Sequence, residues 1–139
     1  MYLLDTDILT LIHANHARVA EKRHTVASQE IAISIITRIE VLRGRFDAVL
    51  KASDSETLLR AQQFLTRSEE KLGLLRIIPF DSAAVQEFDR LRVEKSLRKI
   101  GRADLLIASI AIAHGATLVS RNLRHFQLVP GLRVVNWAD

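Results

Sequence analysis

Cysteine is absent from this 139-residue chain. Disulfides and thiolate metal sites are therefore excluded, and the absence suits a reducing compartment. Two prolines and five glycines are too few to mark an interdomain linker, and no repeat or low-complexity stretch occurs. A single domain over residues 1–139 is expected, because a chain of this length buries most of the surface its unfolded form exposes. Long hydrophobic runs are missing too. The longest, Leu105 to Ala113, has nine residues, far short of the roughly 20 needed to span a bilayer. The first residues carry no basic segment and Asp5 interrupts them, so no signal peptide is expected. The expectation is a soluble, cytoplasmic protein without a membrane partner.

What the chain does have is an ordinary globular balance, 48% hydrophobic and 26% charged residues, which excludes a disordered class. Its net charge of +4 modestly favours polyanions such as nucleic acid. The positive charge is uneven. Arg90, Arg92, Lys95, Arg98, Lys99 and Arg102 fall within thirteen residues, against Asp89 and Glu94. Alone, such a run reads as a solvated helix face.

Short apolar runs alternate with stretches of helical spacing. Tyr2 to Leu4 reads as a strand that ends at Asp5. Ile8, Leu11 and Ile12 suggest a helix over 6–13, and a polar helical segment follows over 14–28. Ile31 to Ser34 is a strand, and Ile36, Ile39 and Leu42 start a helix over 35–51. Leu58, Leu65 and Leu72 share one side of a helix over 54–72. A strand at 75–78 is stopped by Pro79. Asp81 is an N-cap for a helix at about 82–99. Gly101 breaks that pattern, and an apolar helix over 103–114 ends at Gly115. Strands at 117–120 and 133–135 flank a loop containing Pro130 and Gly131. This order predicts an α/β fold with a central, mainly parallel sheet of four to five short strands, covered on both faces. In such sheets ligands bind beyond the carboxyl ends of the strands.

Several polar residues fall at that edge. Asp5 ends the first strand, Glu40 lies in the helix after the second, Asp104 opens the 103–114 helix, and Asn122 follows the 117–120 strand. Each has a local explanation as well. Asp5 and Asp7 suit a strand-end turn. Thr37 and Glu40 have the spacing of a capping box. Asp104 suits the positive end of a helix dipole, and Asn122 suits a turn. His13 and His16 are three apart, but two histidines do not make a zinc site. Taken together, three carboxylates at one edge repel one another unless a cation joins them. Hard oxygen donors suit Mg²⁺ or Mn²⁺, and such a site activates water and neutralises a phosphodiester under in-line attack. Arg38, Arg43, Arg45, Arg102 and Arg121 are then candidates for phosphate contacts.

The stretches LLDTDILTL at 3–11, SIITRIEVLRG at 34–44, IGRADLLIASIAIAHGATLVSRNLRHF at 100–126 and VPGLRVVNW at 129–137, in this order, resemble the PIN-domain ribonucleases. The resemblance is specifically to the VapC-type toxins of bacterial type II toxin–antitoxin pairs, and it covers essentially the whole chain. It implies a PIN-like three-layer α/β/α sandwich and an Mg²⁺- or Mn²⁺-dependent endoribonuclease. By position, Asp5, Glu40 and Asp104 match the family's acidic residues, and Thr6, Thr37 and Ser120 its supporting hydroxyls. Asn122 stands where many members carry a fourth Asp; its carbonyl oxygen can coordinate but adds no charge. Asp7 matches a variable position. The implied roles give Asp5 and Asp104 the metal, Glu40 the metal or the attacking water, and Asn122 a water or a ligand. The implied products carry 5′-phosphate and 3′-hydroxyl ends. The resemblance also implies a VapB-like antitoxin partner and a homodimer.

Two other readings compete. A haloacid-dehalogenase-like phosphatase also opens with a hydrophobic strand and Asp-x-Asp, but its usual Thr or Val four residues on is Leu9 here, and no late paired-acid motif follows. A degenerate PIN domain that binds RNA or a protein partner without cleavage is the second; the missing fourth Asp is its one hint.

Overall fold

Five short apolar runs become strands, and all five pair in parallel. In this computed structural model, which describes Met1–Asp139, they are β1 (Tyr2–Leu4), β2 (Ile31–Ser34), β3 (Arg76–Ile78), β4 (Thr117–Val119) and β5 (Arg133–Val135). Their order is β3-β2-β1-β4-β5, with Leu3 opposite both Ala32 and Leu118. The chain builds outward from β1 to β2 and β3, then crosses back to place β4 on the other side of β1. The strand order therefore reverses at the β1–β4 junction, where sheets of this kind open a crevice at their carboxyl edge.

Alternation along each strand sends neighbouring side chains to opposite faces. Leu3, Ala32 and Leu118 enter one core with Leu91, Ile107, Ile110 and Phe126. Leu4, Ile33 and Val119 enter another with Ile8, Val19, Leu42 and Leu72. The first face is covered by α5 (Ser82–Leu91), α6 (Arg102–Ala113) and α7 (Leu123–Phe126). The second is covered by α1 (Thr6–His13), α2 (Ala17–His24), α3 (Ile35–Lys51) and α4 (Ser55–Gly73). The result is the expected three-layer α/β/α sandwich, with α3 and α4 packed as a hairpin. No helix is long and apolar enough to cross a membrane.

Three expectations need correction. The polar helix over 14–28 shrinks to α2. Asn15 takes a left-handed backbone (φ 57°) that no helix tolerates in its interior, and His16 restarts the helix by accepting the Val19 amide at Nδ1 (3.4 Å). The helix over 82–99 stops at Leu91. Its buried residues Ala84, Phe88 and Leu91 would need an apolar successor at 95, which is Lys95. The chain turns instead and buries Leu97 and Ile100. The basic run 90–102 is thus spread over the end of α5, a turn, a 3₁₀ segment (Lys95–Leu97) and the start of α6 and forms no single helix face. Finally, α7 has no counterpart in the sequence pattern; one turn is too short to show a period, and it is anchored by the fully buried Phe126.

Leu118 lies in the sheet interior with no exposed surface. Leu118→Ala is expected to cost about 2–5 kcal/mol, seen as a lower urea midpoint with an unchanged denaturant slope.

Candidate active site

Because the strands are parallel, their carboxyl ends share one edge, and the chain leaves β1, β2 and β4 at a polar residue. After β1 comes Asp5. Its amide still belongs to the sheet, donating to the Val119 carbonyl at 3.0 Å. Its side chain caps α1, with Oδ1 accepting the Ile8 amide at 2.9 Å. This fixes the carboxylate in place with 6% of the residue exposed. Burial pushes its pKa up to about 6; the Ser120 side chain and the Ile8 amide pull the other way, and the charges of Asp7 and Asp104 push it further up.

Leaving β2, Ser34 caps α3, its Oγ accepting the Thr37 amide at 3.1 Å. The capping-box alternative for Thr37 and Glu40 therefore does not form: α3 begins at Ile35, and both residues lie inside it. Their partner is α1. Thr6 Oγ1 stands 2.6 Å from Glu40 Oε1 and 3.1 Å from Thr37 Oγ1. A hydroxyl carries one proton, and the carboxylate is the stronger acceptor. Thr6 thus tethers the exposed Glu40 from across the crevice, and the buried Thr37 backs Thr6.

Asp104 sits in the first turn of α6. Burial raises its pKa, Glu40 and Asp7 raise it further, and His125 lowers it. After β4, the Ser120 hydroxyl accepts the Asn122 amide at 2.9 Å. Asn122 heads α7 but does not cap it with its side chain; its Nδ2 lies 3.1 Å from His125 Nδ1. That bond leaves Asn122 Oδ1 free to accept from water.

Asp5, Glu40 and Asp104 thus gather at one edge, together with Asp7, which is exposed on α1. None of the four carboxylates forms an ion pair with a basic side chain. All four are unpaired, and Asp5 and Asp104 are also buried or half-buried, where a nearby cation would favour their charged form. No three acidic or imidazole side chains stand close enough to form a complete cage. A hard divalent ion keeps several waters and takes one or two carboxylates, which Asp5 and Asp104 would supply. His125 is a site residue that the sequence reading did not single out. The available signal was its spacing of three from Asn122, which becomes a shared face only once the chain turns into a helix there.

A family model for the PIN domain matches residues 2–132. The chain belongs to the PIN domain family. This PIN domain is 33% identical over 146 residues to Ribonuclease VapC2 of Rickettsia felis, a match that covers 99% of this chain and 98% of that protein. It is 25% identical over 138 residues to the tRNA(fMet)-specific endonuclease VapC of Salmonella typhimurium, covering 98% and 97%. In three dimensions it resembles a chain in the crystal structure of VapBC2 from Rickettsia felis bound to a promoter DNA fragment. The TM-score is 0.71 and the identity 31%, with 98% of both chains covered.

Asp5 also makes the site's electrostatics measurable as stability. Its folded pKa of about 6 stands above the ordinary 3.8, so the folded state holds its proton more tightly than the unfolded state. Stability is then lost as pH rises from about 4 through 6, by up to about 3 kcal/mol. Asn keeps the N-cap without the charge. In EDTA, Asp5→Asn is expected to be the more stable protein at pH 8 by that order, with the advantage vanishing near pH 4. Urea titrations of both proteins across this range check it, and no advantage at pH 8 would mean that the carboxylate is already compensated.

Proposed function

We propose that this PIN domain is a metal-dependent endoribonuclease and the toxin of a toxin–antitoxin pair, hydrolysing RNA phosphodiester bonds within one domain that spans the whole chain. The observation that carries the reading is the set of unpaired carboxylates at the crevice, in a chain whose relatives are named ribonucleases. Asp5 and Asp104 are assigned to hold Mg²⁺ or Mn²⁺, directly or through water. When bound, the ion supplies the charge that makes water acidic and neutralises the phosphate under attack.

The chain's own residues do the rest. Glu40, held by Thr6, accepts a hydrogen bond from the attacking water and fixes its line of approach. Asn122 Oδ1 orients a second water or the substrate, and Ser120 holds the Asn122 backbone in place. Attack in line with the 3′ oxygen leaves 5′-phosphate and 3′-hydroxyl ends. The partner is a VapB-like antitoxin, the working form a homodimer, and the compartment the cytoplasm. Structures of VapBC complexes among the similar folds support the antitoxin.

Antitoxin-free protein incubated with mixed structured RNAs is expected to cut at a few sites with Mg²⁺ or Mn²⁺ and not with EDTA. Asp5→Asn and Asp104→Asn are expected to fall to the EDTA level while remaining folded. Full cleavage by folded Asp5→Asn would sink the assignment, and no cleavage by the wild type on a broad RNA panel would point to a PIN domain that only binds.

A further inference from the structure

Helices α1, α3 and α4 line a recess of about 280 Å³, which lies further along α1 and α3 than Thr6 and Glu40. Val41, next to Glu40, and Thr10, whose hydroxyl donates to the Thr6 carbonyl, stand on its wall. No carboxylate lines it. His13, Arg45, Arg67 and Lys71 do, and none of them forms an ion pair. The catalytic edge is acidic without a counter-ion, and the recess beside it is basic without one. Glu40 and Arg45 are five residues apart on α3, about 7.5 Å along the helix axis.

Arg45 is built into the wall. Its Nε donates to Oγ of the buried Ser68 at 3.0 Å, and its guanidinium lies 4.0 Å from the centroid of the Phe64 ring. Those contacts occupy Nε and one face of the plane. The two terminal nitrogens stay available as a fork for an oxyanion. Arg67 approaches the same ring at 5.5 Å, yet Phe64 remains 47% exposed. Burial lowers the His13 pKa, and Lys71 and Arg45 lower it further, which shows how closely the basic groups crowd. His13 and Lys71 also border a larger cavity of about 1000 Å³, whose remaining charged residues are Arg23 and Arg76. The anion-free basic lining therefore continues away from the carboxylates.

A half-exposed aromatic side chain among cations is how proteins hold single-stranded nucleic acid: bases stack and phosphates pair. We propose that the recess of Arg45, Phe64, Arg67 and Lys71 is a second nucleic-acid subsite, which grips backbone phosphates and one base of the single strand flanking the cut. The inference rests on the nuclease reading above. It also answers a problem that reading raises: an acidic edge repels RNA, so the strand needs an anchor outside it. An acidic protein segment matches the charge but offers no base for Phe64.

The test is fluorescence anisotropy with a labelled single-stranded RNA of roughly ten nucleotides, in EDTA, across a salt series. Arg45→Gln and the pair Arg67→Gln/Lys71→Gln are expected to weaken binding. Each cation removed from a phosphate should reduce the steepness of log K against log salt by about 0.7. Phe64→Leu is expected to weaken binding about tenfold with the slope unchanged. Unfolding midpoints show whether the Arg67/Lys71 variant stays folded. With a divalent ion added, that variant is expected to slow cleavage of the long RNA but not of a dinucleotide. Unchanged affinity and slope in all variants would overturn the subsite. So would a fall in affinity for poly-glutamate alone, which would assign the recess to an acidic protein partner. Wild-type cleavage with no effect of the variants leaves the nuclease reading standing and the subsite fallen; altered RNA binding with no cleavage by any form does the reverse.

Discussion

All five strands run the same way, and the rest of the molecule depends on that. A parallel strand cannot return beside itself through a tight turn, so each must be followed by a crossover that starts from the same edge. The first polar residues of those crossovers are thereby brought together whatever their distance in sequence. Asp5 follows β1, Ser34 ends β2 and Ser120 follows β4, and the helices that begin there add Glu40 and Asp104. Two of these residues, Asp5 and Ser34, also cap the helices they introduce. The same hydrogen bonds that start α1 and α3 fix where the chemistry is placed.

Within that geometry the charges are arranged against stability. Four carboxylates share a crevice, and the most deeply buried of them, Asp5, receives a helix amide in place of a counter-ion. A hydrogen bond from an amide offsets only part of the cost of burying a charge, which is why its pKa lies well above the carboxylate range. Basic residues stand near the edge in sequence, Arg102 in the first turn of α6 and Arg121 after β4, yet none pairs with these carboxylates, and a further basic group lies across α3 and α4. The edge is left with unpaired carboxylates and the recess with unpaired cations, and the proposed binding of a metal ion and of a polynucleotide rests on that separation.

The strands were legible in the sequence almost to the residue, because runs such as Tyr2–Leu4 and Ile31–Ser34 are apolar throughout and end at a polar residue. The long helices were legible through their spacing. Where spacing failed, so did the reading: Lys95 interrupts the α5 stripe, Asn15 turns the chain before α2, and α7 is a single turn. For the site, the edge was legible once the strands were placed, since parallel order alone locates Asp5, Glu40, Asp104 and Asn122. The tether from Thr6 to Glu40 joins residues 34 apart, and only the packing of α1 on α3 creates it. Arg45 was named as a phosphate contact, but its grouping with Phe64, Arg67 and Lys71 was hidden, as was His125, because no local pattern encodes which helices will touch.

The pairing of β1 with β4 has a kinetic side. Leu3 lies opposite Leu118, so the central strand is completed by nearly the whole length of the chain. Contacts of such separation form late, since the entropy of closing the intervening loop precedes any gain from the contact. The α3–α4 hairpin, by contrast, is local and can form early. On a ribosome, Asp5 and Glu40 emerge long before Asp104 and β4. The crevice therefore stays incomplete through most of synthesis, and a chain that ends before α6 and β4 has neither Asp104 nor the strand that closes the crevice beside Asp5.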